Sequence, residues 1–420
     1  MNNQMRLLRQ QGSADATDSC SSPVFALGPE HDSRAFAGFD DIAAAYQGHA
    51  ANTKSRSPVA EVEEHIRVLE GGLGTLAFSN AMAIYDALFG CLLKSGDHVI
   101  ASAVLPAPTA ALLRQYCEQF SIAVSFVDAG DPLTVANAYR PETRMLVAET
   151  IGSLGADMPA LAEIGHFVAG KPLLYVLDNS IPSSLAFQAR AVGAHLVVQR
   201  FHKAISSGRH IAGACLTDTG LFDASPGYAT MISKKWRGQA GGALLAQLRN
   251  GRFNKGSCLG AEMAEALLSD MESASLRVER IGATAQTLAE RLSDHPFITH
   301  VNYPGLPSHP QHDMVAAMLA NGGGLLSFNV VEHLSVRIFY DTLRLATRGD
   351  QIGDTRTQVI HPASTLFAHL DDHVRQSLNI PDTLIRVSVG LEPAEALVDD
   401  FFNALQVAKE LDFIKDCHFS

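Results

Sequence analysis

The sequence predicts an α/β protein with a mostly parallel central sheet, followed by a smaller C-terminal α+β domain. Two short apolar runs, residues 173–177 and 194–198, are typical of buried strands. We interpret the segment between them as a crossover helix, which makes the two strands parallel. Other short strands alternate with helical stretches earlier in the chain, and after about residue 260 long helical stretches predominate.

The first part of the chain contains an arm and then regular structure. Residues 1–58 lack sustained periodicity, so we expect an N-terminal arm without a core of its own, with one short helix at residues 40–46. From residue 58, apolar residues recur at helical spacing up to Gly71-Gly72, which predicts an amphipathic helix with a glycine stop. Further predicted strands occupy residues 99–102 and 145–148.

The second part reads as a separate, smaller domain. Residues 260–292 predict one long helix or two abutting ones, and residues 394–411 predict a closing amphipathic helix. Strands are predicted at residues 298–301, 325–330 and 384–389. The predicted organisation is an arm (1–58), a larger domain (59–260) and a C-terminal domain (261–420), since 420 residues exceed one compact core.

Composition excludes several classes of protein. The net charge of −12, with no cluster of Lys or Arg, argues against nucleic-acid binding. No apolar run reaches the ~18 residues that span a bilayer, and the N-terminus lacks the apolar region of a secretory signal. The six cysteines form no CxxC pair and the 17 histidines form no HxH or HExxH group, so we expect a reducing cytoplasm and no metal site.

An acid and a lysine follow the two apolar runs of the opening pattern. Asp178 ends the first run, and Lys203 comes shortly after the second. Because the carboxyl ends of parallel strands meet at one sheet edge, both side chains are expected there. The pair fits a buried ion pair. It fits equally a pyridoxal 5′-phosphate (PLP) site, with a lysine that forms the Schiff base and an aspartate that holds the pyridinium proton.

A second candidate feature is the small-residue turn at Ser79-Asn80. It precedes an apolar helical stretch, and Asn80 or Ser79 is a suitable N-cap. The free backbone N–H groups of a helix N-terminus suit a phosphate. A simple capped helix would give the same pattern.

Several motifs in this order and spacing resemble one family. They are Leu69-Glu70-Gly71-Gly72, Ser79-Asn80-Ala81-Met82, Gly96-Asp97-His98-Val99, Val176-Leu177-Asp178-Asn179, Lys203, Val301-Asn302-Tyr303-Pro304-Gly305-Leu306, His361-Pro362-Ala363-Ser364 and Ile385-Arg386-Val387-Ser388. Together they resemble the PLP-dependent transsulfuration enzymes of fold type I, with the aspartate aminotransferase-like fold. That family includes cystathionine γ-synthases and γ-lyases, methionine γ-lyases and O-acylhomoserine sulfhydrylases. The resemblance covers most of the chain.

The resemblance implies roles for individual residues. Lys203 is similar to the lysine that binds PLP and shuttles protons, and Asp178 to the partner of the pyridine nitrogen. Arg386 matches the arginine that binds the substrate α-carboxylate through its planar fork. The backbone N–H groups of Ala81 and Met82 are expected to hold the phosphate.

The chain also departs from the family pattern around the implied site. Pro106 stands where the family has a tyrosine over the cofactor ring, which removes a stacking ring and a phenol. Arg200 and His202 replace two phosphate-binding hydroxyls, and either side chain could donate to the same phosphate. Ser153 replaces an asparagine near the 3′-oxygen of the cofactor. Gln351 begins the run that precedes His361, in place of a serine, and is expected near the substrate.

The N-terminal arm lacks a clean counterpart of one further motif. A Tyr-x-Arg pair that a neighbouring subunit gives to the phosphate in the family has only Arg56 as a weak match. The retained Asp178, Lys203 and Arg386, beside a rewritten surrounding, favour an enzyme with an altered substrate over a decayed one.

The implied activity is γ-elimination or γ-replacement on an L-amino acid with a leaving group on Cγ, such as an O-acylhomoserine, cystathionine or methionine. The missing phenol favours a good leaving group and a specialised biosynthetic role. The alternatives are a β-eliminating C–S lyase and a PLP-binding protein without turnover. The resemblance further implies a cytoplasmic homo-oligomer, a dimer or tetramer, with an amino-acid substrate and with no nucleic-acid or membrane partner.

Overall fold

A computed structural model describes residues 57–153, 156, 158–201, 205–208, 213–225, 227, 231–236, 242–369, 371–377 and 380–418. The expected N-terminal arm, with the helix at residues 40–46 and Arg56, therefore lies outside the described residues apart from its last two positions.

Seven strands of the described chain form the central sheet, in the order β1-β7-β6-β5-β4-β2-β3. The strands are β1 (Gly74–Phe78), β2 (His98–Ser102), β3 (Ala123–Val127), β4 (Thr143–Glu149), β5 (Leu174–Asp178), β6 (Leu196–Arg200) and β7 (Ala214–Asp218). The pairs among β2 to β6 are parallel, whereas β7 runs antiparallel to both β6 and β1. The prediction of a mostly parallel sheet is confirmed.

Helices cover both faces of this sheet. They are α1 (Pro58–Glu70), α2 (Ala81–Leu92), α3 (Ala107–Phe120), α4 (Pro132–Ala138), α5 (Leu161–Val168), α6 (Ser183–Ala186), α7 (Ala243–Asn254) and α8 (Ala261–Met271). On β5, Leu174 and Val176 join one apolar cluster and Tyr175 and Leu177 join another, on the opposite face. A strand buried on both faces explains why the sequence shows a continuous apolar run there.

The ends of α1 and α2 follow from side chains at their termini. Gly71 ends α1 with φ 64°, a left-handed conformation that favours glycine. Asn80 caps α2, since its side chain accepts a hydrogen bond from the Ala83 N–H at 2.9 Å. Both predicted helix boundaries are confirmed.

The predicted crossover helix between β5 and β6 is wrong as a single helix. The segment forms one short turn of helix, α6, and a separate 3₁₀ turn at Ala189–Val192. The side chain of Asn179 donates to the Phe187 carbonyl at 2.9 Å, and Gln188 turns outward to the Leu69 carbonyl. These side-chain bonds compete with the backbone bonds of a continuous helix.

A second, smaller sheet follows in the order β10-β11-β12-β9-β8. Its strands are β8 (Ile298–Asn302), β9 (Leu325–Val330), β10 (Thr347–Arg348), β11 (Gln358–Ile360) and β12 (Leu384–Ser388). The remaining helices are α9 (Ala274–Ser293), α10 (His312–Met318), α11 (Val336–Thr342), α12 (Asp372–Ser377) and α13 (Ala394–His418). Residues 260–292, expected to form one long helix or two abutting ones, form the two helices α8 and α9.

The helix α8 packs on the first part of the chain although it follows the predicted domain boundary at residue 260. Its Leu267 and Met271 lie in one cluster with Val62 and Ile66 of α1. The core of the second sheet begins further along α9, at Ile281. Within the described chain, no helix is both long enough and apolar enough to cross a membrane.

Candidate active site

Three charged side chains meet at the carboxyl edge of the central sheet. Glu149, Asp178 and Arg200 are the last residues of the neighbouring strands β4, β5 and β6. Glu149 and Asp178 are register partners, and both are almost fully buried. Ligands bind at this edge in open α/β sheets, so the topology marks it as the candidate site.

Asp178 receives donors on both carboxylate oxygens. Oδ2 accepts from the Tyr85 hydroxyl at 3.1 Å and lies 3.1 Å from Nη2 of Arg200. Oδ1 accepts from the Ser180 backbone N–H at 3.1 Å and from the Ser180 hydroxyl. Burial and then the charge of Asp178 raise the pKa of the Tyr85 phenol well above its ordinary value, so Tyr85 acts as a donor.

Arg200 is held against Asp178 from several sides. Its side chain is 12% exposed, Nη2 lies 3.4 Å from Oγ1 of Thr109, and its backbone N–H donates to Ser180 Oγ at 2.9 Å. Burial alone would lower the pKa of the Arg200 guanidinium, but Asp178, Tyr85 and Glu149 together outweigh burial and raise that pKa. The Nε atom is buried and has no hydrogen-bond partner among the described residues.

Arg386 reaches the same region from the second sheet. Nη1 donates to the Ser153 carbonyl and Nη2 to the Asp350 carbonyl, each at 2.9 Å. Burial lowers the pKa of the guanidinium to about 10, which leaves Arg386 charged at neutral pH. A charged fork that rests on neutral carbonyls, with no carboxylate bonded to it among the described residues, suits an anionic ligand.

The two loops that hold Arg386 contain two other predicted site residues. Ser153 lies beside Glu149, whose Oε2 accepts from the Ser153 N–H at 3.3 Å. Gln351 is exposed and follows Asp350. The structure thus brings Ser153 to Arg386, and it places Gln351 next to a loop carbonyl that Arg386 binds.

The predicted phosphate turn lies at the start of α2. Ala81 and Met82 occupy its first turn, where backbone N–H groups lack intrahelical partners. The Asn80 side chain caps the Ala83 N–H. Tyr85, one helical turn after Ala81, reaches Asp178, so α2 joins the turn to the sheet edge.

Lys203 and His202 lie outside the described residues. The residues on either side of them are placed: the Ser206 N–H donates to the Phe201 carbonyl at 2.9 Å. Beyond them, Arg277 donates to the Ile205 carbonyl and Asp270 accepts from the Ser207 N–H at 3.0 Å. Among the described residues, Ser206 is therefore bonded to Phe201 at the end of β6, and residues 205–207 are bonded to α8 and α9.

Sequence reasoning missed four residues of this site, namely Tyr85, Thr109, Glu149 and Ser180. A signal existed for Tyr85, since it lies four residues after Ala81 and shares its helix face. Ser180 follows Asp178 by two residues, a spacing at which an Asp side chain binds the local backbone. Thr109 lies in the first turn of α3, next to Pro106, which is the N-cap of that helix.

A family model described as Cys/Met metabolism PLP-dependent enzyme matches residues 14–406. The chain belongs to this family.

Members of the PLP-dependent family with assigned activities are similar along most of the chain. An L-methionine gamma-lyase of Fusobacterium nucleatum subsp. polymorphum is 29% identical over 360 residues, which cover 84% of this chain and 85% of the relative. An O-succinylhomoserine sulfhydrylase of Pseudomonas aeruginosa is 31% identical over 374 residues, covering 87% and 86%. A homocysteine synthase of Schizosaccharomyces pombe is 30% identical over 379 residues, covering 85% and 87%.

Solved structures of the same architecture agree with the fold class. A cystathione gamma lyase from Micromonospora echinospora has a TM-score of 0.81 at 25% identity, and the match covers 97% of this chain and 99% of the other. A Campylobacter jejuni chain, whose crystal structure carries an N′-pyridoxyl-lysine-5′-monophosphate, has a TM-score of 0.84 at 23% identity and covers 97% and 100%. At that identity the second likeness concerns the fold alone.

The residues of this PLP-dependent enzyme fit the cofactor. The buried carboxylate of Asp178 is the anion that a pyridinium requires, and it lies at the ligand-binding edge. The unpartnered Nε of Arg200 and the first turn of α2 offer donors to a phosphate or to a ring substituent.

Proposed function

We propose that this enzyme performs γ-elimination or γ-replacement on an L-amino acid that carries a leaving group on Cγ. The observation that carries the proposal is the position of Arg386, which comes from the second sheet and is bonded to the loop next to Glu149 and Ser153. A carboxylate-binding fork thereby lies near the edge that holds Asp178. The named activities of the similar proteins act on methionine or make homocysteine, which agrees with γ-chemistry.

The chain's own residues divide the work. Arg386 binds and orients the α-carboxylate of the substrate by paired hydrogen bonds. Lys203 binds the cofactor and then moves protons at Cα and Cβ of the substrate. Asp178 holds a proton at the pyridine nitrogen, and PLP, when bound, supplies an electron sink for the pair released at Cα.

We further assign the surrounding residues to the cofactor and the substrate. Ala81 and Met82 offer backbone N–H groups to the phosphate, while Arg200, His202 and Ser153 complete the cofactor site. Gln351 lies on the substrate side. In support of this assignment, Ser153 contacts both Glu149 and Arg386 in the described chain.

A small cleft with a mainly apolar lining lies beside the loop that follows Asp350, which supports an uncharged substrate side chain. Its lining includes Ile181, Pro182, Ile281, Ile352, Gly353 and Ser388. Ser388 is two residues from Arg386 on β12, and its hydroxyl accepts from the Gly353 N–H at 3.0 Å. The cleft is thus continuous with the loop that follows Asp350, a residue whose carbonyl Arg386 binds.

Pro106 narrows the range of leaving groups. It occupies the N-cap position of α3 and provides no phenol to assist departure. A substrate whose γ-substituent leaves readily, such as an O-acyl ester, is therefore favoured over a thioether. This choice supports a specialised biosynthetic role.

A substrate panel tests the proposal. Purified enzyme with PLP is incubated with O-acetylhomoserine, cystathionine and methionine, and borohydride reduction is followed by peptide mapping. We expect 2-oxobutyrate, with the reduced label on Lys203 and no label in Lys203→Ala.

Lys171→Ala is the matched control, since Lys171 binds the carbonyl of Phe167 and contacts aromatic rings away from the site. Pyruvate would indicate β-elimination instead, and a labelled but inactive protein would support a PLP-binding protein without turnover.

We also propose a cytoplasmic homo-oligomer, a dimer or tetramer, organised as an arm (1–58) and two domains (59–260 and 261–420). Support comes from the family alone. Light scattering coupled to size-exclusion chromatography measures the mass, and a monomer of the 44.9 kDa chain would contradict the proposal.

A further inference from the structure

The strongest feature beyond the proposed roles is the set of donors on Asp178. A carboxylate offers about four lone-pair directions, two on each oxygen. Four donors are present: the Ser180 N–H and hydroxyl on Oδ1, and Tyr85 and Arg200 on Oδ2. A pyridinium N–H at Asp178 must therefore compete with donors that the protein itself supplies.

Among these donors, Arg200 is the one that carries charge. Its Nη2 lies 3.1 Å from Oδ2 of Asp178, whose side chain is 1% exposed. Screening by solvent is weak at such burial, so the ion pair draws on the same negative charge that would stabilise a protonated ring nitrogen. Thr109 and the Ser180 hydroxyl fix the guanidinium and the backbone of Arg200, which keeps the pair together.

We propose that Arg200 is a positioning residue that holds Asp178 through Oδ2 and shares its charge, so that the ring nitrogen of the cofactor is less protonated than it would be without Arg200. Tyr85 acts in the same direction through the same oxygen. Glu149, which also faces this cluster, supplies the second negative charge that keeps Arg200 at the site.

This role differs from that of a phosphate anchor at the same position. If Arg200 donates to the phosphate, Arg200→Ser should bind PLP about 10- to 100-fold more weakly, because a hydrogen bond between charged groups is lost. Pyridoxal, which has no phosphate, would then be unaffected. If Arg200 acts through Asp178 instead, the pattern differs: Arg200→Ser changes the affinities for PLP and for pyridoxal by the same factor, because the phosphate is not involved.

The decisive measurement is the ¹⁵N resonance of PLP labelled at the ring nitrogen, bound to the full-length enzyme. We expect Arg200→Ser and Tyr85→Phe to displace the native signal toward the protonated position. Arg200→Lys, which restores the charge without the planar fork, should displace it less. Arg190→Ser is the matched control, since this exposed arginine binds the Gly71 carbonyl away from Asp178. Identical positions in the native enzyme and Arg200→Ser would overturn the inference.

A second measurement uses the apoprotein and does not depend on the cofactor. Thermal unfolding of Arg200→Ser, Asp178→Asn and the double variant forms a double-mutant cycle. We expect the double variant to lose less in Tm than the sum of the single losses, because one interaction is removed once. Additive losses would show that Arg200 and Asp178 do not interact, and would overturn the inference.

The inference rests on the proposed cofactor site, and the two fail separately. Absence of PLP binding would contradict the proposed function, whereas additive losses would contradict only the role of Arg200.

Discussion

The guanidinium of Arg386 donates from Nη1 to the backbone carbonyl of Ser153 at 2.9 Å, across 233 positions of sequence. Ser153 in turn contacts Glu149, the register partner of Asp178. The second sheet is therefore bonded to the loop that leaves the carboxyl edge of the first. This contact fixes the position of the charged Arg386 guanidinium, which we propose binds the substrate carboxylate.

Replacement of Arg386 by lysine should impair substrate binding more than cofactor binding. Lysine keeps the charge but cannot bind two carbonyls and a carboxylate with a planar fork. We expect kcat/KM to fall about 10- to 100-fold, corresponding to the loss of one hydrogen bond to a charged group. The measurement is steady-state kinetics together with a PLP titration.

The matched control for this variant is Arg348→Lys in the same sheet. Arg348 also donates to backbone carbonyls, those of Tyr340, Asp341 and Leu343, but it is exposed. Kinetics of Arg348→Lys should equal those of the native enzyme. If both variants lose activity equally, Arg386 has only a structural role.

Replacement of Asp178 by asparagine should slow turnover by roughly 100-fold or more, the usual effect of removing a preorganised charged group. It should also destabilise the apoprotein by about 3–5 kcal/mol, because Arg200 is left beside an uncharged amide. Kinetics and chemical denaturation measure the two effects. The control is Asp218→Asn, a buried carboxylate at the other edge of the sheet that accepts from the Gly220 N–H. Native activity in Asp178→Asn would contradict the assignment.

Seven strands could be predicted as short apolar runs, namely β2, β4, β5, β6, β8, β9 and β12, whereas β1, β3, β7, β10 and β11 were not predicted. The runs before Glu149, Asp178 and Arg200 are apolar and buried, so their carboxyl ends, and hence one edge of the sheet, were readable from local pattern. The pairing of β1 with β7 could not be predicted from the local pattern. That antiparallel pair joins Ala77 to Cys215, and nothing local in either strand specifies so distant a partner.

The candidate site was predictable by residue type and less so by contact. Asp178 and Arg386 match motifs, but the hydrogen bond from Tyr85 to Asp178 spans 93 positions and depends on how α2 packs on the sheet. The orientation of the Arg200 side chain could not be predicted from the sequence either, because a long flexible side chain at a strand end can reach more than one group. The structure turns it to Asp178.

Replacement of Ser180 by alanine should destabilise the protein by about 1–3 kcal/mol. The Ser180 hydroxyl is buried, donates to Asp178 and accepts from the Arg200 N–H at 2.9 Å. Alanine leaves that N–H without its acceptor. Chemical denaturation measures the loss, with Ser364→Ala as the control. Ser364 is an exposed serine bonded to His361, and its loss should stay within about 0.5 kcal/mol. Equal losses in both variants would refute the importance of the Ser180 bridge.

Glu70 should make stability depend on pH. It is fully buried at the end of α1, where Asn179, the residue after Asp178, donates to its Oε1 at 3.4 Å. Burial raises the pKa of Glu70 to about 8, from an ordinary value of 4.5. The folded protein therefore binds a proton that the unfolded chain has released throughout the interval between these two pKa values.

Because the folded state holds the extra proton, the stability that Glu70 contributes is lost as the pH rises from about 5 to 8. The slope is at most about 1.4 kcal/mol per pH unit. Glu70→Gln removes this contribution, so the variant should gain stability relative to the native enzyme as the pH rises through that window. Urea denaturation at pH 5, 6, 7 and 8 measures the difference. Glu61→Gln, exposed on the same helix, should show no such trend. A constant difference between Glu70→Gln and the native enzyme would show that Glu70 is ionised in the fold across the whole range.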